Sequence, residues 1–219
     1  MRTSLALIVT LLVGAALPLE AAPAITVTPL RISVTGVTPG ADVLFFGMGF
    51  EPKKNIEVIL HRWSAVAAAQ NDGTAAYALT DKVTWNALWI VADLRTGQYA
   101  IASTPGFQLA RAFYPARELK RDPSGTINRF LYGRRSADFV YVAAGGAWTH
   151  RVHDGESTDA DGQNDDRISL NLSQLRRIGG SGPETPLAFT PGGTLFVIDP
   201  ARLDLLELRI DASLLAGVR

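Results

Sequence analysis

Two-residue alternation is the feature that most restricts what this chain can fold into. Ile32 and Val34 alternate with Arg31, Ser33 and Thr35. Ile56, Val58 and Leu60 alternate with Asn55, Glu57 and Ile59, and Ile168, Leu170 and Leu172 with Ser169 and Asn171. A period of two sends successive side chains to opposite faces, as in a half-buried strand. Turn signals cut the runs short: Thr38-Pro39-Gly40, Gln70-Asn71-Asp72-Gly73, Leu94-Arg95-Thr96-Gly97 and Gly145-Gly146. In the first, proline presets φ and glycine accepts positive φ, as a type II turn requires. No long helical period competes, so the expected class is all-β, a sandwich.

Further strands are expected at Val43–Phe46, Thr74–Leu79, Ile127–Tyr132, Asp138–Ala144, Ala147–Val152, Thr194–Ile198 and Leu206–Ile210. The clearest hairpin runs from Trp85 to Ser103. Leu88 to Val91 is apolar on both faces, which predicts a strand covered on both sides or lying at an interface. Ala65–Gln70 fits either a strand end or one helical turn. Ser173–Arg177 suggests a short turn capped by Ser173, and the tail 212–219 a frayed helix. Thr190-Pro191-Gly192 before Thr194–Ile198 echoes Thr38-Pro39-Gly40 before Val43–Phe46. Tyr114–Gly125 is charged and bounded by prolines, so 114–126 is the expected linker or crossing loop. Two small sandwich units in tandem follow: 25–113, and 127–211 with an acidic loop at 154–166.

Composition bears on compartment and partners. Lys plus Arg and Asp plus Glu number 21 each, which argues against a nucleic-acid partner. The start has the pattern of a secretory signal over 1–22: Arg2, an uncharged apolar run from Leu5 to Leu17, then Ala21, Ala22 and Ala24. Ala22-Pro23-Ala24 fits an Ala-x-Ala cleavage pattern, with the cut anywhere between Ala21 and Ala24. The run is shorter than the roughly 20 residues a spanning helix needs. Export to the periplasm or the exterior is expected, with no stable membrane anchor after cleavage. The chain has no cysteine, so disulfides, thiol nucleophiles and cysteine-type zinc sites are excluded.

Ile25 to Pro52, with Val37-Thr38-Pro39-Gly40, Val43–Phe46 and Gly47-Met48-Gly49-Phe50, resembles the opening of an immunoglobulin-like IPT/TIG domain. Such domains begin with a strand, a Pro-Gly turn, a second strand and a Gly-x-Gly-Phe-like corner. The resemblance implies an immunoglobulin-like β-sandwich that serves as an exported interaction module, and not a catalyst; whether the partner is a protein or a carbohydrate is left open by the sequence.

The segment from Asp154 to Arg167 concentrates the chemistry, with six carboxylates before its first basic residue. Calcium takes six to eight oxygen ligands on a sharply turning loop. Asp159, Asp161 and Asp165 form an Asp-x-Asp-Gly-x-x-Asp pattern around Gly162, with Asp154, Glu156 and Asp166 as possible extra ligands for Ca2+. The pattern is similar to the middle of EF-hand, dockerin and thrombospondin type 3 loops. It departs from them at Ser157, where an aspartate is expected, and at Ile168, where a bidentate acid is expected. The alternative is a solvated acidic loop held by Asx turns.

Signals for an enzyme are weaker. His150 and His153 lie on opposite faces of a strand, which makes a metal site with Asp154 poor. Ser181 is not in a Gly-x-Ser-x-Gly elbow. Arg134-Arg135 and Arg176-Arg177 fit loop charges better than an anion site, and the tryptophans fit core aromatics better than a sugar platform. Three functions stay open: a non-catalytic exported interaction or structural module, a calcium-dependent binding module, and a hydrolase with an acid pair in the loop after Val152.

Overall fold

The computed structural model describes residues 22–52, 58–79, 86–103, 108–110, 118–202 and 204–218. In chain order the strands are β1 (Ala24–Thr28), β2 (Arg31–Thr35), β3 (Asp42–Pro52), β4 (Val58–Ala68), β5 (Thr74–Ala78), β6 (Asn86–Asp93), β7 (Tyr99–Ser103) and β8 (Gln108–Ala110). There follow β9 (Leu119–Arg121), β10 (Ile127–Tyr132), β11 (Ser136–Ala143), β12 (Gly146–His153), β13 (Ile168–Asn171), β14 (Arg176–Arg177), β15 (Thr194–Asp199), β16 (Asp204–Arg209) and a terminal helix α1 (Ala212–Ala216). They make four sheets. The first is β1-β2-β5, the second β4-β3-β6-β7, the third β14-β12-β11-β15-β16-β8 and the fourth β13-β10-β9. All pairings are antiparallel except β8 with β16.

Strand parity decides how the sheets stack. Val43 and Phe45 of β3 share a core with Ile32 and Val34 of the first sheet. Their neighbours Leu44, Phe46 and Met48 point the other way, into a core shared with Val140, Val142, Phe196 and Ile198 of the third sheet. The alternate residues of those strands, Phe139, Tyr141, Leu195 and Val197, pack with Phe130, Leu170 and Leu119 of the fourth. The result is four layers with three apolar seams. The two middle sheets are covered on both faces, which is why their strands read as continuous apolar runs. Leu88 and Ile90 lie in the middle seam, Trp89 and Val91 in the first.

The first two sheets come wholly from residues 24–103 and the last two from 108–209. β8 was expected in the first unit but adds to the third sheet beside β16, at Leu205↔Leu109. The expected linker holds a strand, since Leu119–Arg121 pairs with β10; its part from Tyr114 to Arg117 lies outside the described residues. The expected signal up to Ala21, and Asn55, Ile56 and Glu57 of the second alternating run, lie outside them too.

Local chemistry explains the turns. Gly40 and Gly192 have φ of +68° and +86°. The N–H of Ala41 donates to the Thr38 carbonyl and that of Gly193 to the Thr190 carbonyl, each at 3.0 Å. Both Pro-Gly segments are therefore type II turns feeding interior strands, β3 and β15. Ala65–Ala68 completes β4, so the helical alternative there is not taken. Gly47 is no corner, since β3 runs on through Pro52. A Cβ at Gly47 would stand 1.8 Å from Cζ3 of Trp89, so its bare backbone makes room for the indole. The short turn after β13 is a 3-10 turn, Leu172–Gln174, capped by Asn171 and not by Ser173. The side-chain oxygen of Asn171 accepts the N–H of Ser173 at 3.0 Å and its hydroxyl at 2.9 Å, so the serine is the donor to the cap.

Candidate functional site

The acidic loop leaves β12 and returns in β13, and its carboxylates turn largely toward backbone. Asp154 accepts the N–H of Asp165 at 3.1 Å and of Asp166 at 2.9 Å, one on each oxygen, and so ties the two ends of the loop together. Asp161 accepts from Gln163 N–H and Asp165 from Arg167 N–H, each at 3.1 Å. These two are Asx turns. Asp166 sits at φ +62° and pairs with Arg135.

Asp159 differs from the rest because it is only 5% exposed. Its Oδ1 accepts the N–H of Ser169 at 2.9 Å, while Oδ2 is buried and has no hydrogen-bond partner. Burial pushes this carboxyl above the usual range, the Ser169 N–H draws it back, and the charge of Asp161 adds to the rise. Among the described residues, no group of three or more acidic or histidine side chains is arranged to hold a metal ion. Asp159 and Asp161 are brought near one another, whereas Asp154 is turned to the backbone N–H groups of Asp165 and Asp166 and lies near Arg135.

A second set of groups lies along the seam between the second and third sheets. Arg62 of β4 donates from Nε and Nη2 to the two oxygens of Asp138 in β11, both at 2.8 Å. Near the far edge, Tyr99 of β7 donates to Glu207 of β16. Arg209 Nε donates to the Tyr99 oxygen at 2.9 Å and to Glu207 at 2.7 Å, and its guanidinium lies 5.6 Å from the Tyr99 ring centre. Burial, then the neighbouring Glu207, pushes the Tyr99 hydroxyl up to about 12, with Arg209 partly offsetting the rise. Tyr99 and Arg209, but not Glu207, line an open cleft of about 540 Å³ together with Pro23, the Thr96-Gly97 turn and the Gly192-Gly193 turn. Such a cleft offers a fixed cation and a hydroxyl at the meeting line of two sheets.

The remaining candidates fall into packing roles. His150 and His153 do alternate along β12. Nε2 of His150 lies 3.3 Å from the Thr158 carbonyl, and burial holds its pKa below the usual histidine value. Arg134 pairs with buried Asp199 at 3.3 Å, and Arg177 donates to the Gly145 carbonyl at 2.8 Å while lying over Trp148. Trp63 and Trp89 pack at 5.3 Å in the first seam. Trp85 lies outside the described residues.

The seam groups were missed at the sequence level, where Leu206, Leu208 and Ile210 drew attention and the opposite face of that strand did not. The available signal was Glu207 and Arg209, opposite charges two apart on one face of an apolar strand. Arg62 and Asp138 carried a similar signal, a charge inside each apolar run. Compared with known proteins, the chain matches no family model, no curated protein and no solved structure.

Proposed function

We propose that this chain is an exported, non-catalytic β-sandwich module that binds a partner or carries load in the periplasm or outside the cell. One observation supports it best: four carboxylates, Asp93, Asp122, Asp154 and Asp211, are committed to backbone N–H groups. Asp93 takes three, from Thr38, Arg95 and Thr96; Asp122 takes Ser124 and Thr126; Asp154 takes two and Asp211 caps α1. Acid–base catalysis needs a carboxyl free to face substrate and exchange a proton, whereas these hold turns in place. The strand and Pro-Gly turn that resemble an IPT/TIG opening feed the second sheet, so a partner bound there would act on a stiff double-sided layer. The test is expression from the native leader, separation of the extracytoplasmic fraction, and cross-linking from a photoreactive residue placed at Gln98. Export with a discrete cross-linked partner is expected; retention inside the cell defeats the reading.

A calcium-dependent module is the second reading, and the orphaned Oδ2 of Asp159 is what favours it. On that reading millimolar calcium, the range of extracellular modules, raises the melting temperature of the wild type but not of Asp161→Ala. An unchanged wild-type melt ends it.

A further inference from the structure

β1 ends the first sheet, with β2 as its one ladder partner among the described residues. The Leu30 carbonyl accepts the N–H of Leu79 at 2.8 Å, which carries the β2–β5 register one pair beyond Arg31↔Ala78. Hydrogen-bonded pairs alternate along an antiparallel ladder, so Ile32 and Val34 turn their backbone groups to β5. Arg31, Ser33 and Thr35 turn theirs to β1, where they meet Thr28, Thr26 and Ala24. The other two residues, Ile25 and Val27, therefore present N–H and C=O on the outer edge. Ala24, Thr26, Val27 and Thr28 are exposed, so β7, which comes close to β1 without pairing with it, leaves that edge open. Exposed edges are commonly protected by charge or proline. β9 carries Lys120 and Arg121, and β14 is Arg176 and Arg177; a second copy pairing there would crowd like charges together. β1 reads Ala-Ile-Thr-Val-Thr, with no charge and no proline, and Val27 and Leu30 at its tip are exposed apolar surface.

We propose that β1 pairs antiparallel with β1 of a second copy of this chain, about a two-fold axis at Thr26. The outward groups of Ile25 then exchange both hydrogen bonds with those of Val27 in the second copy, and Ala24 stands opposite Thr28. Thr26 faces its own counterpart in a non-hydrogen-bonded pair, where Cα atoms are about 4.5 Å apart. Residues directly opposite share a face, so Ile25 meets Val27 on the side of the first seam, to which Ile25 already packs. Threonine meets threonine on the solvent side, and both are favourable cross-strand pairs. This self-match selects the occupant: a two-fold interface uses one patch twice, and an uncharged strand that is its own complement satisfies that condition. The first sheet then continues across the axis as six strands. A strand of 5 residues buries less than the roughly 1,200 Å² of a stable pair, so the dimer forms at high concentration and dissociates on dilution.

The test is sedimentation of the chain, as the cell produces it, from micromolar to millimolar concentration. The wild type is expected to pass from monomer to dimer. Thr26→Lys, at an exposed position, sets two like charges opposite each other at the axis and is expected to stay monomeric, with the wild-type melting temperature in dilute solution. A wild type that stays monomeric throughout, or a Thr26→Lys chain that dimerises as the wild type does, overturns the proposal. Single cysteines read the register, since the chain has none of its own. Under a mild oxidant such as diamide, Thr26→Cys is expected to give a disulfide-linked dimer, its Cα separation falling in the disulfide range of about 4.4–6.8 Å. Thr28→Cys is not, because its two copies lie four residue rises, roughly 14 Å, apart. Failure of Thr26→Cys to link, or linking of Thr28→Cys as readily, overturns the pairing.

Discussion

Arg62 and Asp138 join the second and third sheets through a two-pronged ion pair, with both nitrogen–oxygen distances at 2.8 Å. The partners are unequally placed: the Arg62 side chain is 30% exposed and that of Asp138 is 3% exposed. The pair is 76 positions apart in sequence and lies in a seam otherwise made of Leu44, Phe46, Val140 and Phe196.

That asymmetry predicts unequal costs for removing either partner. Arg62→Ala strands a carboxylate in the seam, and breaking a buried pair in this way costs about 3–5 kcal/mol. Asp138→Ala leaves an arginine that can reach water, and its loss is that of a charged hydrogen bond, about 1.5–3 kcal/mol. Urea unfolding of the two variants measures the difference. Equal costs, or a larger one for Asp138→Ala, would remove the burial argument.

Gly47 gives a second test, because its role is spatial. Any Cβ there enters the Trp89 ring, and that ring is held by Trp63 on the same seam. Gly47→Ala should destabilise the fold by about 3 kcal/mol, the upper end for overpacking a core. Tryptophan emission should shift to the red at the same time, as Trp89 is 2% exposed in the native chain. A variant with unchanged stability and emission would mean the strand accommodates the methyl without moving the indole.

Much of the layering was legible in the sequence, since the apolar run Leu88–Val91 demanded cover on two faces and received it. The turns were legible as well, because Pro-Gly at 39–40 and 191–192 admits few backbone shapes. Alternation assigns residues to two faces but does not say which sheet lies against each. The seam between the second and third sheets was marked in the sequence only by apolar runs and by the lone charges Arg62, Asp138, Glu207 and Arg209 within them, and residues 108–110, inside the expected first unit, pair with the third sheet. The charges of Leu119–Arg121 concealed a strand for a related reason: β9 is an edge strand, with only Leu119 buried. At the acidic loop the sequence left two targets open, a cation or the loop's own backbone, and Asp161 and Asp165 are found in Asx turns. A carboxylate aimed at a backbone N–H and one aimed at a cation look the same in a string of letters.

Asp93 offers a test in pH. Its carboxylate is 2% exposed. Burial raises its pKa, but the N–H groups of Thr38, Arg95 and Thr96 outweigh burial and hold it below the usual range. A depressed folded pKa contributes stability above the unfolded value of about 3.9, and that stability is lost as pH falls through the lower folded value. Asp93→Ala orphans the three N–H groups and should cost about 2–3 kcal/mol at neutral pH. The gap between wild type and variant should narrow below about pH 4 as the wild-type carboxyl gains its proton. A gap that stays constant down to pH 2 would show that the carboxylate charge is not what those amides bind.

Tyr99 titrates at the opposite end of the scale. Its hydroxyl donates to Glu207, so ionising it would set two negative oxygens against each other inside the seam, and its pKa stands at about 12. The unfolded tyrosine ionises near 10. Between those values the folded chain binds more protons than the unfolded one, so stability must fall as pH rises. Tyr99→Phe removes that titration while keeping the ring against Phe196, whose centre is 4.9 Å away. Unfolding measured from pH 9 to 12 should show the wild type losing stability faster than the variant, and a tyrosinate absorbance titration should contain one late component that the variant lacks. Parallel stability curves, together with tyrosinate titrations that superimpose, would mean that Tyr99 reaches water freely and that Glu207 does not hold its proton.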